Sequence, residues 1–172
     1  MNDVAAADPH AVVLELYRLL SHSADSIIDR AAISALLLPD ARVRCVMAND
    51  AGVEDVGNWT VPEYLDLLAA ALERQRAAGM ETERSELRHH MHTCGNIAQV
   101  FSTFEARMSA GGDVLRGRGV YAVQLVRVGG AWRIAGLASH TERARDPIPD
   151  GYLPERGVGS AGVSQRPGQT AA

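Results

Sequence analysis

Gly95-Asn96-Ile97-Ala98-Gln99-Val100-Phe101-Ser102-Thr103-Phe104-Glu105-Ala106-Arg107 opens on a Gly-Asn turn signal and continues in β-branched and aromatic residues, the composition of a strand. A Gly-Gly pair at 111–112 ends it. Gly119-Val120-Tyr121-Ala122-Val123-Gln124-Leu125-Val126-Arg127 reads as a second strand that breaks at Gly129-Gly130, a two-residue hairpin turn tolerant of positive φ. Ala131-Trp132-Arg133-Ile134-Ala135-Gly136-Leu137 follows as a third. Strands joined by such short turns form an antiparallel meander, and its apolar face needs a partner. The preceding half of the chain must supply that partner.

Asp8-Pro9 reads as a cap followed by proline at the first helical position. From His10 to Ser21, Val12, Val13, Leu16, Tyr17, Leu19 and Leu20 recur at helical spacing. A second helix is expected over Ser26 to Leu37, stopped by Pro39, with Asp29 interrupting its apolar pattern. Arg42 to Met47 alternates with period two, as a strand with one wet face does. Asn49 to Gly52 is a turn cluster, and Val53 to Trp59 a short strand. Thr60-Val61-Pro62-Glu63 then combines an N-cap, a first-turn proline and a capping-box Glu, and predicts a helix running to Gly79.

Glu81 to Thr93 is expected to be a strand, and it carries the most unusual polar cluster, Glu86-Leu87-Arg88-His89-His90-Met91-His92. Strict alternation puts Glu86, Arg88, His90 and His92 on one face and Leu87, His89 and Met91 on the other. Either His90 and His92 line an interior cavity, or they lie on the outer face and His89 points in. A one-residue slip exchanges the two. Two histidines at i and i+2 supply two metal ligands, and no further Cys or His pair stands nearby in sequence, so neither a metal nor another cofactor is expected.

The chain has 172 residues, 47% of them hydrophobic, enough for one domain with a real core. Seventeen basic against twenty-one acidic residues give a net charge of −4, which argues against general affinity for nucleic acid or an anionic membrane. The N-terminus lacks a positive region followed by an apolar one, and a cytoplasmic protein is expected. Cys45 and Cys94 lack metal-type spacing and read as small buried hydrophobes. Residues 1–9 and 156–172 are small and polar and are expected to be disordered, leaving 10–155 as the domain.

The runs GNIAQVFSTFEAR, RGVYAVQL, GGAWRI and TERARDPIPDGYLP resemble the C-terminal half of the nuclear-transport-factor-2-like superfamily, in particular a bacterial SnoaL-like group, with the likeness running from about Leu14 to Pro154. The resemblance implies an α+β fold, a curved antiparallel sheet wrapped around N-terminal helices as a cone. It also implies a homodimer through the outer sheet face and a closing motif at 146–154 that straps onto the domain. The superfamily hosts cyclases, dehydratases, isomerases and plain binding proteins, so the fold does not name a reaction.

In the dehydratase-like and isomerase-like branches, an acidic residue near the position of Asp29 and a His or Tyr on the sheet converge on a carbonyl-bearing substrate. That resemblance makes Asp29 and His90 the expected proton-transfer pair, with His92 beside them, although Asp29 also reads as a solvated carboxylate in an early helical turn. Tyr17, Trp59, Tyr64, His89, Ser139 and His140 would line a pocket for a small hydrophobic or polyketide-like molecule, although Trp59 also reads as packing. Against the close group, Cys94, Ala138 and Ser139 stand where bulkier residues are expected, which enlarges either the pocket or a dimer contact. The expected activity is cofactor-free acid/base chemistry of the cyclase, dehydratase or isomerase kind. The alternative is a non-catalytic ligand-binding or protein-interaction domain.

Overall fold

Two glycine pairs make the reversals on which the meander depends. Gly111 and Gly112 have φ of 58° and 96°, and Gly129 and Gly130 have 60° and 83°, a region closed to most L side chains. The computed structural model describes residues 8–23, 25–48 and 54–155. Of the ends expected to be disordered (1–9 and 156–172), residues 1–7 and 156–172 fall outside the described residues, as does the turn at 49–52, while Asp8 and Pro9 are ordered at the start of α1. The elements are α1 (Pro9–Leu20), α2 (Arg30–Leu36), β1 (Leu37–Ala48), β2 (Glu54–Thr60), α3 (Val61–Ala77), β3 (Glu81–Cys94), β4 (Ile97–Ala110), β5 (Asp113–Val128) and β6 (Ala131–Thr141). Among the described residues the strands form one sheet in the order β2-β1-β6-β5-β4-β3. Every pairing is antiparallel except β1 with β6. This is the expected α+β architecture, a curved sheet with helices inside it.

Local chemistry sets the helix boundaries. Asp8 caps α1, its carboxylate accepting from the His10 N–H at 3.0 Å, and Pro9 begins the helix. Thr60 and Glu63 close the anticipated capping box on α3. The second helix departs from expectation. It starts at Arg30, because Asp29 is its N-cap and accepts from the Ala32 N–H at 2.9 Å. It ends at Leu36, so Leu37 and Leu38 belong to β1, and Pro39 lies where the β1–β6 register shifts, a place that asks no N–H of it.

Helix α1 buries Val12, Val13, Leu16, Tyr17 and Leu20 on one face. They join Ile33 and Leu36 of α2, Val61, Tyr64 and Leu65 of α3, and Val43, Val100, Val123, Leu125, Ile134 and Leu137 of the sheet in one core. No helix among the described residues is long and apolar enough to cross a membrane. Cys45 is half-buried and Cys94 exposed, so the expectation of buried thiols fails for Cys94, which ends a strand at a turn.

The sheet's outer face carries a strap from the chain's own C-terminal side. Arg118 grips Glu142 through two bonds at 2.7 and 3.1 Å, and Glu142 accepts from the Ile148 N–H. Ile148 is buried, and a 3-10 turn at Asp150–Tyr152 follows. Arg88 donates to the Leu153 carbonyl, His90 Nε2 to that of Gly151, and Thr103 Oγ1 to that of Tyr152, at 2.8, 2.9 and 2.7 Å. The strap covers part of the face that the resemblance assigns to a dimer contact.

β5 begins at Asp113, six residues before the strand legible in the sequence, because Gly117 and Gly119 lie inside it. Gly119 opposes Phe104, and a Cβ there would sit 2.5 Å from the Phe104 ring and 2.7 Å from the His140 carbonyl oxygen. The backbone oxygen cannot step aside. Gly119→Ala is therefore expected to cost about 1–3 kcal/mol in urea unfolding; a stability within a few tenths of wild type would show that the notch for Phe104 is not needed.

Candidate functional site

Helix α1 lies along β3 and runs against it. His10, near its start, meets Glu86 and His89, while Ser21 and His22, just past its end, meet Arg84 and Thr82. His10, Val13, Tyr17 and Leu20 return at three-, four- and three-residue steps, so one stripe faces the sheet. On β3 the register runs Glu86↔Phe104 and then Arg88↔Thr103, leaving one extra residue between them. This bulge changes which side chains share a face. Glu86 and His89 point inward with Phe104 and Ser102, whereas Arg88, His90 and His92 point outward.

Glu86 is the hub. Its side chain is 13% exposed, and its Oε2 is reached by His10 Nε2 at 2.8 Å and by His89 Nδ1 at 3.1 Å. Its Oε1 accepts from Ser102 Oγ, which stands 2.7 Å from the Tyr17 hydroxyl. An ionised carboxylate offers no hydrogen, so both imidazoles and the serine must donate to it. The single serine hydrogen is thereby used, and Tyr17 must donate to Ser102. Burial pushes the Tyr17 pKa well above the usual tyrosine range, against the opposing effect of the Ser102 bond, which keeps the phenol protonated for that role. The same bonds fix the tautomers: His10 carries its hydrogen on Nε2 and His89 on Nδ1. In a neutral His89 the lone pair is then on Nε2, on a side chain 37% exposed. The two rings stack with centroids 3.7 Å apart and planes at 29°.

Behind the hub the interior is packed. Tyr17 stacks on Tyr121 at 5.5 Å, and Phe104 tilts against Tyr121 at 4.6 Å. A cavity of about 220 Å³ lies at the other end of α1, lined by residues including Leu20, His22, Ile28, Asp29, Leu68 and Arg84. Arg84 donates to the Leu20 carbonyl. His22 Nε2 and Arg84 Nε, on residues that line this cavity, and Thr82 Oγ1 on β3 are buried without a hydrogen-bond partner among the described residues.

The structure does not bring Asp29 and His90 together. Asp29 is spent on capping α2 and sits at the rim of the cavity, whereas His90 is on the outer face holding the strap. His92 is exposed on the same outer face. Tyr17 and His89 do belong to one site. Tyr64 is buried on α3, and Trp59 packs against the core opposite Val43, so both serve the core rather than the hub. Ser139 shares the inner face with Tyr121, while His140 lies outside, 3.5 Å from Asp146. The enlarged positions divide likewise: Ala138 and Cys94 face outward and Ser139 inward. Glu86 and His10 were not anticipated. The seven-residue step from His10 to Tyr17 was a readable sign that His10 faces the sheet; nothing in the sequence marked the bulge.

No protein-family model and no curated protein sequence matches the chain. Solved structures do. A nuclear-transport-factor-2-like protein with a cystatin-like fold from Novosphingobium aromaticivorans aligns over 80% of this chain and 86% of its own, at 15% identity and a TM-score of 0.59. The chain has the nuclear-transport-factor-2-like fold. A proposed dehydratase of that family from Streptomyces avermitilis shares the nuclear-transport-factor-2-like cone at 18% identity and TM-score 0.59, over 83% of this chain and 97% of its own. So does the beta subunit of the benzoate 1,2-dioxygenase from Burkholderia mallei, at 16% identity and TM-score 0.60, over 89% and 99%.

Ser102→Ala leaves Glu86 Oε1 without its donor and the Tyr17 hydroxyl with only a long 3.4 Å contact to the Ser102 carbonyl, and is expected to cost about 1–3 kcal/mol. In the Tyr17→Phe background the phenol is already gone, so the same change should cost measurably less. Urea unfolding of the four proteins checks this, and strict additivity would contradict the relay.

Proposed function

We propose that this protein is a small-molecule enzyme that moves protons on an enolisable, carbonyl-bearing substrate, with His89 Nε2 as general base. The observation that carries the reading is the Glu86 carboxylate held at once by two imidazoles and by the Ser102–Tyr17 relay. A carboxylate and an imidazole stand within hydrogen-bond reach on the inner face of the sheet, the pairing that acid/base chemistry needs, whereas a plain apolar binding pocket would lack it. Glu86 orients His89 through Nδ1 and would stabilise the imidazolium formed when Nε2 takes a proton. The stacked His10 provides a second imidazole beside the same carboxylate. Met91, exposed and next after His89 on the inner face, is the apolar neighbour that a small hydrophobic ketone of the polyketide type would meet. A cyclase, dehydratase or isomerase would each begin with such a proton abstraction.

The test is deuterium exchange at the α-carbon of a panel of small apolar ketones, run in D2O with a chelator and followed by NMR. The wild type is expected to accelerate exchange for at least one member. His89→Ala and Glu86→Gln should each lower the rate by about 10²- to 10⁴-fold. No acceleration for any ketone would turn the reading toward a ligand-binding or protein-interaction module. A loss that follows Asp29→Asn and His90→Ala instead would assign the chemistry to that pair and overturn this assignment.

A further inference from the structure

From the donor geometry we infer that His10, Glu86 and His89 form a binding site for one divalent first-row transition-metal ion. The atoms they would offer, one from each side chain, all lie within 4.8 Å of one another. His10 Nε2 and His89 Nδ1 stand 2.8 and 3.1 Å from the same oxygen, Glu86 Oε2. Donors bound to a common ion at about 2.1 Å, with bonds near right angles, are about 3.0 Å apart. Both nitrogen–oxygen separations already match that spacing. Imidazoles radiating at right angles from one ion hold their centroids about 4.5 Å apart, so the stack must open by about 1 Å, within reach of side-chain rotation.

Two imidazoles and one carboxylate suit zinc, cobalt, iron(II) or nickel, whereas calcium and magnesium prefer all-oxygen shells. Three protein ligands leave further coordination positions for water or a small ligand. Ser102 supplies the supporting bond, since by holding Oε1 it leaves Oε2 as a single, oriented donor. The site escapes a spacing search because His10 is 76 residues from Glu86 in the chain and the bulge, rather than strand alternation, places His89 beside it.

The proton balance follows from the tautomers. Each imidazole turns its N–H toward Oε2, so ion binding transfers that hydrogen to the far ring nitrogen, His10 Nδ1 and His89 Nε2. Neutral rings release no net proton, and an imidazolium releases one. The Nε2 lone pair that serves as base is then capped, which makes metal loading and base activity mutually exclusive. The ion site does not depend on the catalytic reading.

Cobalt(II) titration of the full chain, followed by visible absorption, tests the site. A saturating one-to-one d–d band distinct from the aquo ion is expected, displaced by zinc. His89→Ala and Glu86→Gln should weaken binding by about 100-fold and Ser102→Ala by about 10-fold, while His92→Ala leaves it unchanged. If Glu86→Gln does not fold by circular dichroism, His10→Ala takes its place. A spectrum that stays that of the aquo ion, a band that survives both ligand variants, or one that depends on His92 overturns the inference. Ketone exchange in chelator without a cobalt band removes the ion and leaves the base; a cobalt band without exchange does the reverse.

Discussion

Glu86 sets the terms for its surroundings, because a carboxylate removed from water is tolerated when donors replace the water it loses. Three side chains do so, and each comes from a different element: His10 from the start of α1, His89 from beyond the bulge on β3, and Ser102 from the middle of β4. The requirement ties the helix to the sheet in one position. If α1 slid by one turn, His10 would leave Glu86 and Tyr17 would leave Ser102 together. The apolar stripe of α1 gives the packing its strength, and the polar contacts at Glu86 give it its register. The bulge belongs to the same constraint, since without it Glu86 and His89 would face opposite sides.

Much of the fold was legible in the sequence, for reasons that are local. The Gly-Gly pairs, the Thr60–Glu63 box and the period-two runs act over a few residues, and they placed the meander, α3 and most strand ends. Asp29 admitted two readings, because an acidic residue at a helix start and one facing a cavity look alike in one dimension, and the structure makes it the cap of α2. The site was less legible. Strand alternation is a reliable rule until a bulge interrupts it: of the two orientations open to the His-rich run, the structure takes the one with His90 and His92 outward and His89 inward, and the extra residue at Leu87 moves Glu86 from the face of His90 to that of His89. His10 was hidden by distance along the chain, although its step to Tyr17 carried the clue.

The two faces of β3 divide the polar residues between different tasks. On the outer face, Arg88 and His90 bind backbone carbonyls of the strap, so their chemistry goes into holding the C-terminal segment. On the inner face, Glu86 orients the partly exposed His89 ring while packed aromatics close off the interior behind them. A shared cone joins this chain to proteins named for quite different activities, which is why the functional argument rests on these few side chains and not on the architecture.

The account stands on Glu86 dictating both imidazole tautomers. Nitrogen-15 NMR of the histidine rings reads them directly in the metal-free protein at a pH where both rings are neutral. The account predicts His10 as the Nε2–H form and His89 as the Nδ1–H form, with Glu86→Gln loosening both preferences. If either ring holds its hydrogen on the opposite nitrogen, or if both average as free imidazoles do, then Glu86 is not the hub and the site built around it is contradicted.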